Sequence, residues 1–490
     1  MDASRNFGKR LGLWLGPALF LITLLFFCPE GLSQEGIAVL AATLWIASWW
    51  ISEAIPIPAT ALLPVVLFPL SSSLSVSTAT EAYGHPLIFL FLGGFMIAVA
   101  IERWGLHRRI ALHIIRRIGS SMSRLVLGFM LACGFLSMWI SNTATAVMML
   151  PIGTAILSGL EMQTGLEAAV RERFSKALLL GIAYSASIGG IATLIGTPPN
   201  LVLAAVVREL YGVEISFARW MLFGLPIAAV LLLLCWLYLT RIAFTVRGQQ
   251  LPGGAAEIER QLAELGPMSG EEKRVLIVFV LTALAWVSRS FLLEKILPGI
   301  NDTVIAIAGA LALFVWPPVS RERGPILDWE SAVRLPWGII LLFGGGLALA
   351  AGFEESGLAA WLAGQMSGLK GVGLAFLLLV VVGSVNFLTE ITSNVATTSM
   401  ILPVLAPMAV SLGTHPYSLM FGATIAASCA FMLPVATPPN AVVFGSGHLR
   451  IPDMVRTGLW LNVLSIALIL LAVFLLLPWV WGISLAGSMG

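Results

Sequence analysis

Long apolar runs separated by short polar turns dominate this chain. Runs such as 11–28, 218–238 and 459–481 reach the roughly 20 residues that a helix needs to cross a hydrocarbon layer about 30 Å thick. Eleven full crossings are expected, beginning near Leu11, Gly36, Ala54, Pro86, Ala177, Ala218, Val275, Val304, Trp337, Pro416 and Thr457. Two further apolar stretches, 125–160 and 371–412, are each interrupted midway by a polar cluster. The clusters are Ser141-Asn142-Thr143 and Thr392-Ser393-Asn394. Each half is short for a span, so each stretch is expected to form a re-entrant helical hairpin. Its tip stops inside the membrane, where non-helical backbone is tolerated only against protein or a water-filled cavity.

An internal repeat reinforces this pattern. A shift of 252 residues places Phe91, Gly93, Gly94, Ala98, Glu102, Gly105 and Leu106 on Phe343, Gly345, Gly346, Ala350, Glu354, Gly357 and Leu358. The same shift places Ser141, Asn142, Ala144, Thr145, Met148, Leu150 and Pro151 on Ser393, Asn394, Ala396, Thr397, Met400, Leu402 and Pro403. A shift of 240 places Thr197-Pro198-Pro199-Asn200 on Thr437-Pro438-Pro439-Asn440, and extra loop around 161–176 accounts for the slippage. An odd number of crossings separates the matching spans, so the two halves are expected to be inverted. Inverted repeats with interrupted helices at matching places mark secondary transporters, whose substrate sits near the midplane.

Composition agrees. The 490 residues are 58% hydrophobic and 11% charged, against about 25% charged in a soluble domain. With the amino terminus inside, 22 of the 27 Lys and Arg residues fall in inner segments, as the positive-inside rule requires. Only Arg208, Arg219, Arg289, Lys295 and Lys370 fall outside. A net charge of +2 argues against nucleic acid as a partner. The first run follows Arg5, Lys9 and Arg10 but leads into Pro29-Glu30 rather than a small-residue cleavage site, so it is expected to stay as a span. Cys28, Cys133, Cys235 and Cys429 show no metal or disulfide spacing and are expected to be small buried hydrophobes. The polar stretch 250–273 is expected to form a cytoplasmic amphipathic connector between the halves.

The polar breaks carry the candidate chemistry. Ser141-Asn142-Thr143 supplies strong N-caps for a following helix expected to end before Pro151. Such a tip presents free backbone N–H groups and a partial positive charge, which stabilise an anion without a formal cation. Asn142 adds an amide and Thr143 a hydroxyl. Unpaired carbonyls with Ser and Asn oxygens form a hard cage suited to a small alkali cation. Thr197-Pro198-Pro199-Asn200 breaks its span because two prolines remove two donors. No Lys or Arg lies near any break, so a dianion there needs compensating charge, and co-bound sodium ions can supply it. Glu390 is the one carboxylate deep in an apolar stretch. Anchoring of the hairpin to backbone donors and a proton relay are both open to it. Glu53, before Pro56, is read as structural, and the five histidines receive no chemistry. No nucleophile–base pair or metal cluster supports an intramembrane enzyme.

At these residues the chain resembles the divalent anion/sodium symporter family of sodium-coupled dicarboxylate and citrate cotransporters. The resemblance extends to 104–112 (WGLHRRIAL) and 431–441 (FMLPVATPPNA) and spans nearly the whole chain. It implies an all-α, polytopic membrane protein that works as a homodimer by an elevator motion. Eleven transmembrane helices and two re-entrant hairpins would divide into scaffold and transport domains. The expected parts are 1–35 (first helix), 36–122 and 275–368 (scaffold), 123–246 and 369–490 (transport), and 247–274 (linker). It implies one sodium site at Ser137, Ser141, Asn142 and Gly196, and a second at Thr389, Thr392, Asn394 and Ala436. Substrate carboxylates would meet Asn142, Thr143, Thr197, Asn394, Val395, Thr437 and Pro438. Val395 departs from the Thr of some bacterial members; similar animal carboxylate carriers have Ser-Asn-Val there, which favours carboxylate over sulfate. The expected activity is sodium-coupled symport of succinate, malate, fumarate or citrate across a bacterial inner membrane, with the amino terminus cytoplasmic. A sodium-independent exchanger, a sodium/sulfate symporter and a proton-driven carrier are the alternatives.

Overall fold

The apolar runs fold as helices. The computed structural model describes residues 2–119, 121–161, 167–246, 254–317, 324–365 and 372–485, with no strand among them. Among these residues, nine helices are long and apolar enough to cross a membrane. They are Gly8–Phe26, Gln34–Ser52, Val76–Arg103, Asn142–Leu160, Phe217–Ala243, Gly270–Ile296, Trp337–Glu355, Asn394–Ser411 and Ile451–Trp481. This is a multi-pass membrane protein.

Several expected crossings are divided. The span expected from Ala54 is two short helices, Ile57–Thr60 and Leu63–Leu70, because Pro56, Pro58 and Pro64 each remove a ladder donor. The eighth is only Asp302–Val315. The hairpins also differ from expectation. Their first arms, Met122–Ser137 and Leu374–Leu388, are short, but their second arms, Asn142–Glu161 and Asn394–Ser411, are long enough to span. The helix after the first tip does not end before Pro151 but runs through it, as its mate runs through Pro403 and Pro407. Neighbouring helices can re-satisfy backbone freed by a membrane proline. The extra segment around 161–176 is helical from Ala168, while 162–166 lies outside the described residues.

Element order recurs between the halves. Gln34–Ser52, Pro86–Arg103 and Leu106–Ile118 are matched by Gly270–Ser288, Trp337–Glu355 and Leu358–Gln365. Each half then has a hairpin and a broken helix, Ala168–Gly190 with Pro198–Tyr211 in the first and Pro416–Ala427 with Pro438–Phe444 in the second. Each closes on a long helix, Phe217–Leu237 or Ile451–Trp481. Glycine lets the first hairpin lie directly on its broken helix: a Cβ on Gly189 would fall on the Gly134 carbonyl.

Part of the connector expected at 250–273 is the amphipathic helix Gly254–Leu265, which buries Ile258 and Gln261; residues 250–253 lie outside the described residues. Arg109 pins the turn that follows, bonding Glu272 through Nε (3.0 Å) and Nη2 (3.1 Å) and the Gly266 carbonyl through Nη1 (2.9 Å). Cys133, Cys235 and Cys429 are buried as expected, but Cys28 is exposed.

Candidate functional site

Both hairpin tips and both broken helices front one cavity of about 1210 Å³. Asn142 and Asn394 line it together, with Ser141, Thr143, Gly196, Thr197 and Pro198 from the first half. Thr392, Val395, Ala436, Thr437 and Pro438 line it from the second. Ser137 and Thr389 lie just behind, fully buried, each against the Asn of its own tip. The thirteen residues expected to meet sodium or substrate therefore lie at or directly behind one cavity. Among the described residues, the cavity lining contains no Lys, Arg or His, and one carboxylate, Glu53.

The tips form as their caps dictate. Ser141 Oγ accepts from the Ala144 N–H at 3.2 Å, and Ser393 Oγ from the Ala396 N–H at 3.5 Å. Each capping serine satisfies an orphan donor of the helix that follows, so the apolar run must stop and restart there.

Behind the first tip, oxygens converge. One end of the Asn142 amide lies 2.5 Å from Ser137 Oγ and 3.2 Å from the carbonyl oxygens of Ala186 and Gly196. With nitrogen at that end, the amide donates to all three. With oxygen there, the Ser137 hydroxyl donates to it while the Ala186 and Gly196 carbonyl oxygens stand 3.2 Å away with no hydrogen between, a cluster of oxygens that a cation would stabilise. Gly190 and Gly196 make the approach possible, since a Cβ on Gly190 would lie 2.8 Å from the Asn142 amide oxygen. The second half repeats the motif with other residues. Thr389 Oγ1 lies 2.7 Å from Asn394 Oδ1 and 3.0 Å from the Ala427 carbonyl, and Thr392 Oγ1 lies 2.7 Å from Thr397 Oγ1. Among the described residues no group of three or more His, Cys, Asp or Glu could hold a metal ion. Neutral hard oxygens suit an alkali cation rather than a transition metal.

The breaks in the broken helices are held open by the last residue of each Thr-Pro-Pro-Asn motif, whose residue type alone suggests no such role. Asn200 Nδ2 donates to the carbonyls of Gly190 (3.0 Å) and Thr193 (2.7 Å). Its mate Asn440 donates to those of Ala430 (3.2 Å) and Leu433 (3.0 Å), the matching positions under the 240-residue shift. The last residue of each Thr-Pro-Pro-Asn motif thus clamps the loop that the prolines release. Its recurrence at both motifs was the available signal.

Glu390 anchors the second break. Its Oε1 accepts from the N–H groups of Phe431 (2.7 Å) and Met432 (2.9 Å) and from Asn462 Nδ2 (2.8 Å). Its Oε2 accepts from Met432 (3.1 Å) and Leu433 (3.0 Å). With its lone pairs so engaged, the carboxylate fits the anchoring role and leaves little capacity for a relay. The first half has Met138 at this position, and there Thr193 Oγ1 donates to the Met138 carbonyl instead (2.5 Å). Glu53, read as structural, does end the helix Gln34–Ser52 in a left-handed conformation (φ 48°), yet it also lines the cavity. Phe91, Phe95, Ile339, Leu342, Ile391 and Val435 supply apolar walls, which no motif announced.

The chain is similar to known proteins over its whole length. The family model described as the sodium:sulfate symporter transmembrane region matches residues 9–485. The sodium-dependent dicarboxylate transporter SdcS of Staphylococcus saprophyticus is 50% identical over 488 residues, covering 99% of this chain and 94% of that protein. Its counterpart from Staphylococcus aureus strain USA300 is 50% identical over 483 residues, covering 98% and 93%. Among solved structures, Neisseria gonorrhoeae MtrF, described as one of a class of antimetabolite efflux pumps, aligns with a TM-score of 0.57 at 15% identity, covering 95% of this chain and 98% of that one. The Alcanivorax borkumensis YdaH transporter aligns with a TM-score of 0.56 at 15% identity, covering 92% and 99%. At that identity the two structures speak to fold alone. The match over residues 9–485 and the half-identical relatives place this chain in the sodium:sulfate symporter family.

Proposed function

We propose that this protein is a sodium-coupled symporter of C4-dicarboxylates such as succinate, malate and fumarate, and not an enzyme. The observation that carries this reading is the shared cavity. It gathers two helix-starting tips and two oxygen clusters but, among the described residues, no basic side chain. A dianion brought there bare would meet a large desolvation cost. Tip N–H groups offset part of it, and sodium ions bound behind the tips supply the remaining charge. Cation and anion therefore stabilise each other, and that mutual stabilisation is the coupling. The half-identical relatives named as sodium-dependent dicarboxylate transporters support carboxylate over sulfate.

In this reading Ser137, Ser141, Asn142 and Gly196 hold one sodium ion. Thr389, Thr392, Asn394 and Ala436 hold the other, partly through main-chain carbonyls. Asn142, Thr143, Thr197, Asn394, Val395, Thr437 and Pro438 meet the substrate. The first arms of the hairpins, at 16 and 15 residues, support tips that stop within the bilayer. With the divided spans counted, the chain makes eleven crossings with its amino terminus cytoplasmic in a cell membrane. The parts 123–246 and 369–490 then move as an elevator against 36–122 and 275–368 within a homodimer. Uptake of labelled succinate into proteoliposomes tests the function. A sodium gradient should drive accumulation, and excess sulfate should not compete. Equal rates without sodium would leave an exchanger in its place.

A further inference from the structure

The two hairpin tips differ in what covers them, and the first is covered by groups with no part in binding. There, three aromatic planes stack. Phe217 lies 4.7 Å from Trp286 at 13°, and Trp139 lies 6.0 Å from Phe217 and 6.5 Å from Trp286, at 18° and 8°. Trp139 belongs to the first hairpin tip and Phe217 begins a helix of the proposed moving part, whereas Trp286 belongs to the proposed scaffold. Beside the stack, Arg289 is almost fully buried at 4% exposure. Its Nη1 bonds Glu214 at 2.6 Å, and its Nε lies 3.1 Å from Asp302 and 3.3 Å from Glu294. Asp302 Oδ2 then accepts from the Phe217 N–H at 2.8 Å. The Arg289–Glu214 ion pair, a helix-start hydrogen bond and a ring stack thus join the two parts at one place, and Glu294 and Asp302 hold Arg289 in position from within the scaffold.

The inverted repeat shows the asymmetry. Shifted by 252 residues, Trp139 falls on Ile391, at the second tip. Ile391 is 67% exposed and lines the cavity. One tip residue is packed against scaffold while its mate is bare.

We infer that Arg289, Asp302 and the Trp139–Phe217–Trp286 stack are positioning residues that hold the binding site shut on the outer side. Ile391 makes the reciprocal closure on the inner side when the moving part shifts. The Arg289–Glu214 pair, the Phe217–Asp302 hydrogen bond and the stacking of Trp286 on Trp139 and Phe217 cross between the two parts, so they break in the opposite state, and their strength sets how often the site faces inward. This inference rests on the elevator reading of the transport cycle.

The test uses a Cys28→Ser, Ile391→Cys background and a membrane-impermeant maleimide, applied to inside-out and right-side-out vesicles. The thiol introduced at position 391 should label in inside-out vesicles and be protected in right-side-out ones. Adding Asp302→Asn or Trp139→Leu should then slow inside-out labelling by about threefold or more, a shift in a two-state population. Each should lower KM for external succinate, while Arg289→Lys, which keeps the charge, should stay near the background. Having two separate variants covers the case in which one fails to fold. Unchanged labelling in a folded variant would overturn the closure alone. Equal labelling of the background from both sides would overturn the alternating-access reading, and the closure with it.

Discussion

Replacing Gly196 by alanine tests the proposed first sodium site through sterics alone. A Cβ built on Gly196 lies 2.5 Å from the Gly190 carbonyl oxygen and 2.9 Å from Gly190 Cα. Ordinary contact begins near ~3.5 Å, so the two strands of the loop must part by about 1 Å. The obstacle is backbone on both sides, with no flexible side chain to swing away. Overpacking of this kind costs roughly 1–3 kcal/mol. In the proposed first sodium site the Gly196 carbonyl is one of the ligand oxygens, 3.2 Å from the Asn142 amide, so the displacement would act on the geometry that sodium needs. If most of that energy opposes cation binding, half-saturating sodium rises by roughly 5- to 150-fold, at about 1.4 kcal/mol per tenfold. Maximal uptake at saturating sodium should change much less. The matched position in the second half is Ala436, so Ala436→Gly removes a methyl group without creating a clash and serves as the contrast. Sodium titration of succinate uptake in proteoliposomes reads both variants. An unaltered sodium dependence in folded Gly196→Ala would refute the placing of a cation among these oxygens.

Other outcomes follow from the same geometry. Asn142→Ala and Asn394→Ala should each abolish uptake while leaving expression and thermal unfolding near normal, because both side chains line the cavity. Glu390→Gln sets an amide donor against the N–H groups that the carboxylate satisfies, and should lower stability by about 2–4 kcal/mol; thermal unfolding in detergent measures it. Any remaining Glu390→Gln transport should keep its sodium dependence, whereas pH-driven uptake without sodium would restore a relay. Arg109→Ala should free the turn after the helix Gly254–Leu265, and limited proteolysis should then cut the linker several-fold faster with transport retained.

The sequence makes the site more legible than the scaffold. Ser-Asn at each tip and Thr-Pro-Pro-Asn in each broken helix act locally, through caps and missing donors, so their structural effect can be read from residue types alone. Their repetition then brings them to one place. Crossing counts were harder, because an apolar run does not reveal whether prolines will divide it, as at Pro56, Pro58 and Pro64, or be absorbed, as at Pro151. The clamping by Asn200 and Asn440 depends on carbonyls seven to ten residues away, exposed only once the loop has folded. The apolar walls of the cavity, Phe91 and Leu342 among them, look in sequence like any lipid-facing or core side chain. Only the packing of the halves tells them apart.

Equilibrium binding of succinate to purified protein, titrated calorimetrically in sodium and in choline, bears most directly on whether alkali ions supply the charge that this cavity lacks. Sodium should tighten succinate binding strongly, and succinate should tighten sodium binding by the same factor, as linkage demands. Equal succinate affinity in the two salts would mean that the dianion is neutralised by something other than the oxygen clusters behind Asn142 and Asn394.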